Sequence, residues 1–190
     1  MALISEDHVH PLDARWFRLQ AASYQKAFNL CPSEPFLTQP NAAFCSSVLI
    51  GPSLILTAGH CLTDEKDCKD THFVFDYNLQ YRSADPSFAA RSNVFDCAKL
   101  VMHSNQGFAD YAVIELDRDV VGRTPVAWRR SGRIRAGEGI FMIGHPSGLP
   151  QKIAAGAKAL SSASDHFHTN LEAFYNNSGS PVFNARTFEL

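Results

Sequence analysis

The stretch FCSSVLIGPSLILTAGHC, from Phe44 to Cys61, decides the fold. Two short apolar runs rich in Val, Leu and Ile are parted by Gly51-Pro52, a pattern that reads as strand, tight turn and strand. The second run delivers Thr57, Ala58, Gly59, His60 and Cys61. Outward from this hairpin, short runs bounded by Gly, Pro, Asn or Asp extend the series. They predict strands near Phe44 to Ile50, Leu54 to Thr57, Phe73 to Tyr77, Val94 to Met102 and Tyr111 to Leu116. A second set follows near Ile140 to Ile143, Gln151 to Ala159 and Pro181 to Asn184. Between the sets, Asp117 to Gly139 is rich in Arg and Gly with Pro125 in its middle, which suits a connection between two β units. Short strands with little helix argue for an all-β sandwich or barrel rather than a parallel α/β fold.

Ahead of Phe44 the texture differs. Pro11 and Asp13 suit a helix start, and Trp16, Leu19, Tyr24 and Phe28 recur at near-helical spacing, so a helix is predicted within residues 11–28. Pro32, Pro35 and Pro40 then break regular structure and predict an extended arm. The expected organisation is a helix and arm over 1–43, a first β unit over 44–122, a connection over 123–138 and a second β unit over 139–190.

With 45% apolar and 19% charged side chains over 190 residues, the chain can bury a core of its own. A net charge of -2 with no basic run leaves no footprint for nucleic acid or for an anionic membrane. Apolar runs are interrupted within about ten residues, too short for a spanning helix, and the first residues lack the cationic and apolar pattern of a signal peptide. Five cysteines, Cys31, Cys45, Cys61, Cys68 and Cys97, are an odd number, so a thiol is left over or its partner lies outside the sequence. His60, Cys61, Cys68 and His72 are close in sequence, but their separations do not match paired-ligand zinc patterns. Disulfides fit better and imply a secreted or periplasmic compartment. A bridge from Cys45 to Cys61 would close a loop of about 16 residues, contribute about 3 kcal/mol and pin the backbone beside His60.

Three motifs carry chemistry. TAGHC offers His60 as a general base on a braced turn. ADYAVIEL, Ala109 to Leu116, sets Asp110 at the mouth of an apolar strand, where a carboxylate can accept an imidazole N–H and fix the tautomer. NNSGSPV, Asn176 to Val182, puts Ser178 on a tight turn; a serine nucleophile needs such exposure, a base alongside and backbone N–H groups aimed at the oxyanion. Each motif alone is unspecific.

In the order His, Asp, Ser, these motifs resemble the chymotrypsin-like serine peptidases from about Phe44 to Phe183. The Asn177 form of the serine motif and the segment IGHPSGLPQK look most similar to bacterial trypsin-like peptidases related to glutamyl endopeptidases. The resemblance implies two antiparallel six-stranded β-barrels, the first contributing His60 and Asp110, the second Ser178. It also implies a peptide or protein substrate, no metal or organic cofactor, and an oxyanion hole from the N–H groups of Asn176 and Ser178. Glu172, six residues before Ser178, would sit at the base of the specificity pocket, as in enzymes that cleave after Arg or Lys. Cys68 would pair with Cys97, leaving Cys31 over.

Two departures qualify the resemblance. The position two before the serine is normally glycine, free to turn its N–H toward the oxyanion, and here it is Asn176, preceded by the bulky Tyr175. Only twelve residues follow Ser178, whereas family members continue through further strands. The second barrel is therefore expected to be incomplete, with a C-terminal segment missing. The alternative function is a catalytically impaired homologue that serves as a binding module.

Overall fold

Strand Cys45–Ser46 pairs antiparallel with Ala2–Ser5, and a residue further on Val48–Leu49 pairs with Leu54–Thr57. One bent stretch thus lies at both ends of a seven-stranded sheet. Through Thr71–Val74, Val94–Gln106 and Ala109–Leu116 the sheet returns to Leu54–Thr57, so that it nearly closes into a barrel. The computed structural model describes residues 1–79 and 85–190. Alternation builds the barrel interior: Ile55 and Thr57 from one strand, and Ala112, Ile114 and Leu116 from another, are buried while their neighbours are more exposed. Ile55, Ala112, Ile114 and Leu116 join Leu3, Leu62, Phe73 and Phe95 in one core cluster.

Disulfides Cys45–Cys61 and Cys68–Cys97 staple the barrel wall, and Cys31 is a free, exposed thiol. The second unit is a four-stranded antiparallel sheet ordered Phe167–Thr169, Lys152–Ser162, Gly139–Gly144 and Val182–Asn184. It forms a partial barrel, and residues 117–138 between the two units contain no strand. The all-β, two-barrel expectation with an incomplete second barrel describes this architecture.

The N-terminal reading needs correction. Only Tyr24–Phe28 is helical within residues 11–28, capped by the Ser23 hydroxyl and ended by Asn29 in the left-handed region. Val9–Pro11 and Trp16–Leu19 instead form a hairpin, extended by Phe88–Ala90. The cause is turn chemistry: the Asp13 carboxylate accepts the N–H groups of Arg15 and Trp16 and so makes a turn rather than a helix start. The arm is a run of turns until Pro40–Asn41 pairs with Ala22–Ser23. Residues 1–43 are also not separate from the barrel, because Ala2–Ser5 is one of its central strands.

Candidate active site

The strand Leu54–Thr57 ends in a single 3-10 turn, Gly59–Cys61, that presents His60. The Cys45–Cys61 disulfide joins the end of that turn to the neighbouring strand, with Cα atoms 6.3 Å apart. Gly59 is required by close approach, since a Cβ there would meet the Ser104 carbonyl oxygen at 1.9 Å. Asp110 stands at the start of Ala109–Leu116, on the hairpin beside this turn. Its Oδ1 accepts the His60 backbone N–H at 2.8 Å, and its Oδ2 lies 2.6 Å from His60 Nδ1. A carboxylate only accepts, so Nδ1 carries the proton and Nε2 keeps its lone pair. That Nε2 lies 2.7 Å from Ser178 Oγ. The three residues, distant in sequence, therefore form one hydrogen-bonded series across the junction of the two units.

Electrostatics favour an ionised Asp110. Burial pushes its carboxyl up, but the hydrogen bonds from the His60 backbone and ring, the attraction of His60 and the Gly59 N–H together outweigh it, and the carboxyl lies below its ordinary range.

The serine turn is held from several sides. Gly179 has φ +77°, and a Cβ there would meet the Ser46 carbonyl oxygen at 2.1 Å and Thr57 Oγ1 at 2.3 Å, so only glycine fits. Asn176 also lies in the left-handed region, at φ 66°. Its carboxamide Nδ2 donates to the Ala43 carbonyl at 3.0 Å, and the Tyr175 carbonyl accepts the Ser147 N–H at 2.5 Å. Among the described residues no peptide bond is cis, so the Asn176 N–H points opposite to that anchored carbonyl. Among the described residues, neither the Asn176 N–H nor the Ser178 N–H has a protein acceptor. Unpaired backbone donors on the turn that carries a serine are the kind of group an oxyanion site needs.

Several supporting residues escape motif reading. Ser46, buried in the first barrel, donates its N–H to the Ser178 carbonyl at 2.8 Å. Its hydroxyl donates to the Asn176 carbonyl at 3.4 Å and accepts the His145 N–H at 3.0 Å. Ser147 has φ 51°, and the Asn41 carboxamide donates to its carbonyl. The one clue to Ser46 in the sequence is a pair of serines inside an otherwise apolar strand; Ser147 and Ala43 offer none.

Glu172 is exposed and lies on a cavity of about 340 Å³, together with Tyr24, Phe36, Met142, Lys152, Phe174 and Asn177. Burial lowers the Lys152 amine to about 8, and it donates to Gln39 Oε1 at 2.8 Å and to the Pro150 carbonyl at 2.6 Å. Tyr175, the bulky residue before Asn176, is 75% exposed.

One barrel, one partial barrel and a His-Asp-Ser series at their junction define the class of chymotrypsin-like serine peptidases. The trypsin-like peptidase domain matches residues 45–190, and the chain belongs to that family of serine-type endopeptidases. A Glu endopeptidase structure in complex with MPD is similar at a TM-score of 0.59 and 20% identity, covering 77% of this chain and 70% of that one. A serine endoprotease from Yersinia pestis is similar at a TM-score of 0.54 and 19% identity, covering 77% of this chain and 46% of that one. A search of the curated proteins finds no match.

Proposed function

We propose that this chain is a serine endopeptidase in which Ser178 is the nucleophile, His60 the general base and acid, and Asp110 the group that orients the imidazole. The observation that carries the reading is the continuous series from Asp110 Oδ2 through His60 to Ser178 Oγ, with both contacts at 2.6 to 2.7 Å. As Ser178 Oγ bonds to the scissile carbonyl carbon, its proton passes to His60 Nε2 and the carbonyl oxygen becomes the oxyanion. The N–H groups of Asn176 and Ser178 receive that charge. Collapse expels the amine, which takes the proton from His60 and leaves an acyl-enzyme; water then repeats the sequence and frees Ser178. The scheme uses no metal or organic cofactor.

Substrates are peptides or proteins, and two disulfides favour work in an oxidising compartment, secreted or periplasmic. Glu172 supports cleavage after Arg or Lys, with the amine of Lys152 on the same cavity as the opposing charge. Peptide p-nitroanilides test both parts. Turnover is expected with wild type and is expected to fall by more than about 10⁴-fold in Ser178→Ala; undiminished turnover in that variant contradicts the assignment. Arg or Lys substrates are expected to outpace Glu substrates, and the Glu172→Gln variant to narrow the gap. A faster Glu substrate contradicts the basic preference alone.

A further inference from the structure

The serine turn holds an asparagine where a backbone at positive φ would ordinarily be left to glycine. That asparagine is not merely tolerated, because its side chain is engaged. The Nδ2 group spans from the second unit to the Ala43 carbonyl at the entry of the first barrel, a contact of 3.0 Å that glycine cannot make. On the preceding peptide, the Tyr175 carbonyl is fastened to the Ser147 N–H, and on the following one the Asn176 carbonyl accepts the Ser46 hydroxyl at 3.4 Å. The peptide linking Tyr175 to Asn176 is thus gripped at its oxygen and at the next side chain. Its remaining polar group, the Asn176 N–H, has no acceptor among the described residues.

We propose that Asn176 is a positioning residue: its carboxamide, anchored on Ala43, holds the left-handed turn and so aims its own backbone N–H at the oxyanion. The inference rests on the reading of Ser178 as nucleophile for its catalytic consequence, but the conformational claim stands on the turn alone. Two alternatives compete with it. The side chain could be idle, with asparagine present only because it tolerates positive φ; or the anchor could serve folding and leave the chemistry untouched.

Alanine and glycine at this position separate the three. Asn176→Ala loses the anchor and disfavours the left-handed region. Its kcat is expected to fall about 10²-fold, the loss of one oxyanion donor, with KM within about 2-fold because the ground-state carbonyl gains little from that donor. Asn176→Gly keeps access to positive φ but loses the anchor, and its kcat is expected to fall roughly 2- to 10-fold, the size of one net hydrogen bond. A glycine variant as fast as wild type shows an idle side chain and overturns the proposal. So do variants that lose thermal stability while their kcat is unchanged. Crystal structures of both variants supply a readout independent of turnover. The Tyr175–Asn176 peptide is expected to rotate, with the Ser147 N–H no longer on the Tyr175 carbonyl, in the alanine variant, and to be poorly defined in the glycine variant. The wild-type turn retained in both overturns the proposal even if the enzyme is active. A wild type inactive on every substrate sinks the reading of Ser178 instead, and the crystal structures still decide what holds the turn.

Discussion

Asp110 receives two hydrogen bonds from one histidine, through the backbone N–H and through the ring. The pair fixes where the imidazole sits and which nitrogen carries the proton. Asparagine at 110 can keep the shape but can satisfy the wrong tautomer, and the Asp110→Asn variant is expected to lose roughly 10⁴-fold in kcat. Its pH behaviour provides a second check. The folded carboxyl binds its proton more weakly than the unfolded one, so stability from ionised Asp110 is fully present above the ordinary carboxylate range and is lost as pH falls through the lower folded value. Melting temperatures on the acid side are therefore expected to fall more steeply for wild type than for Asp110→Asn. Equal slopes would show that these hydrogen bonds do not act on the carboxylate. At Gly179 the argument is steric: Gly179→Ala would drive a methyl group into Ser46 and Thr57. A loss on the order of 2–4 kcal/mol is expected in urea denaturation.

At the scale of elements, the hairpin from Phe44 to Cys61 is both barrel wall and carrier of His60. Its disulfide spans 16 residues in sequence, and replacing Cys45 and Cys61 by alanine is expected to cost about 3 kcal/mol. Because the bridge ends on the residue after His60, kcat should fall along with the melting temperature. A stability loss with unchanged kcat would mean that Asp110 alone holds the ring. This hairpin was legible in the sequence, as were Ala109–Leu116 and the serine turn, because each carries its chemistry within a few adjacent residues. The hairpin of Val9–Pro11 and Trp16–Leu19 was not. Trp16 and Leu19 are three apart and mimic a helix face, and the deciding fact was the Asp13 carboxylate closing a turn. Ala2–Ser5 was missed because three apolar residues and a serine carry no period to read. Its partners, Cys45–Ser46 and Thr71–Val74, are remote in sequence. The brace around the serine turn was hidden for the same reason: Ser46 and Ala43 lie 130 and 133 positions from Asn176, and Ser147 lies well outside the NNSGSPV motif.

Across the whole molecule, the two units meet where polar groups are buried. His145 is enclosed there, stacked on Tyr77 with ring centroids 5.5 Å apart, its N–H on Ser46 Oγ and its Nδ1 3.0 Å from the Leu149 carbonyl. Burial lowers its imidazole from 6.5 to about 3. A folded value below the unfolded one means that the unfolded chain takes up the proton first. Stability is expected to decline as pH falls below 6.5, and this contribution to stop changing below about 3. His145→Gln should flatten the melting temperature between pH 7 and pH 5, and an unchanged profile would assign the acid sensitivity elsewhere. The same junction brings His60 and Asp110 of the first barrel to Ser178 of the second, so the proposed reactivity of Ser178 depends on intact docking of the units. The most direct test is labelling of the disulfide-intact protein with a fluorophosphonate probe, followed by mass spectrometric mapping of the modified residue. A single adduct on Ser178, abolished in His60→Ala and in Ser178→Ala, is the predicted result. No adduct on wild type, or an adduct on another residue that survives Ser178→Ala, would contradict it.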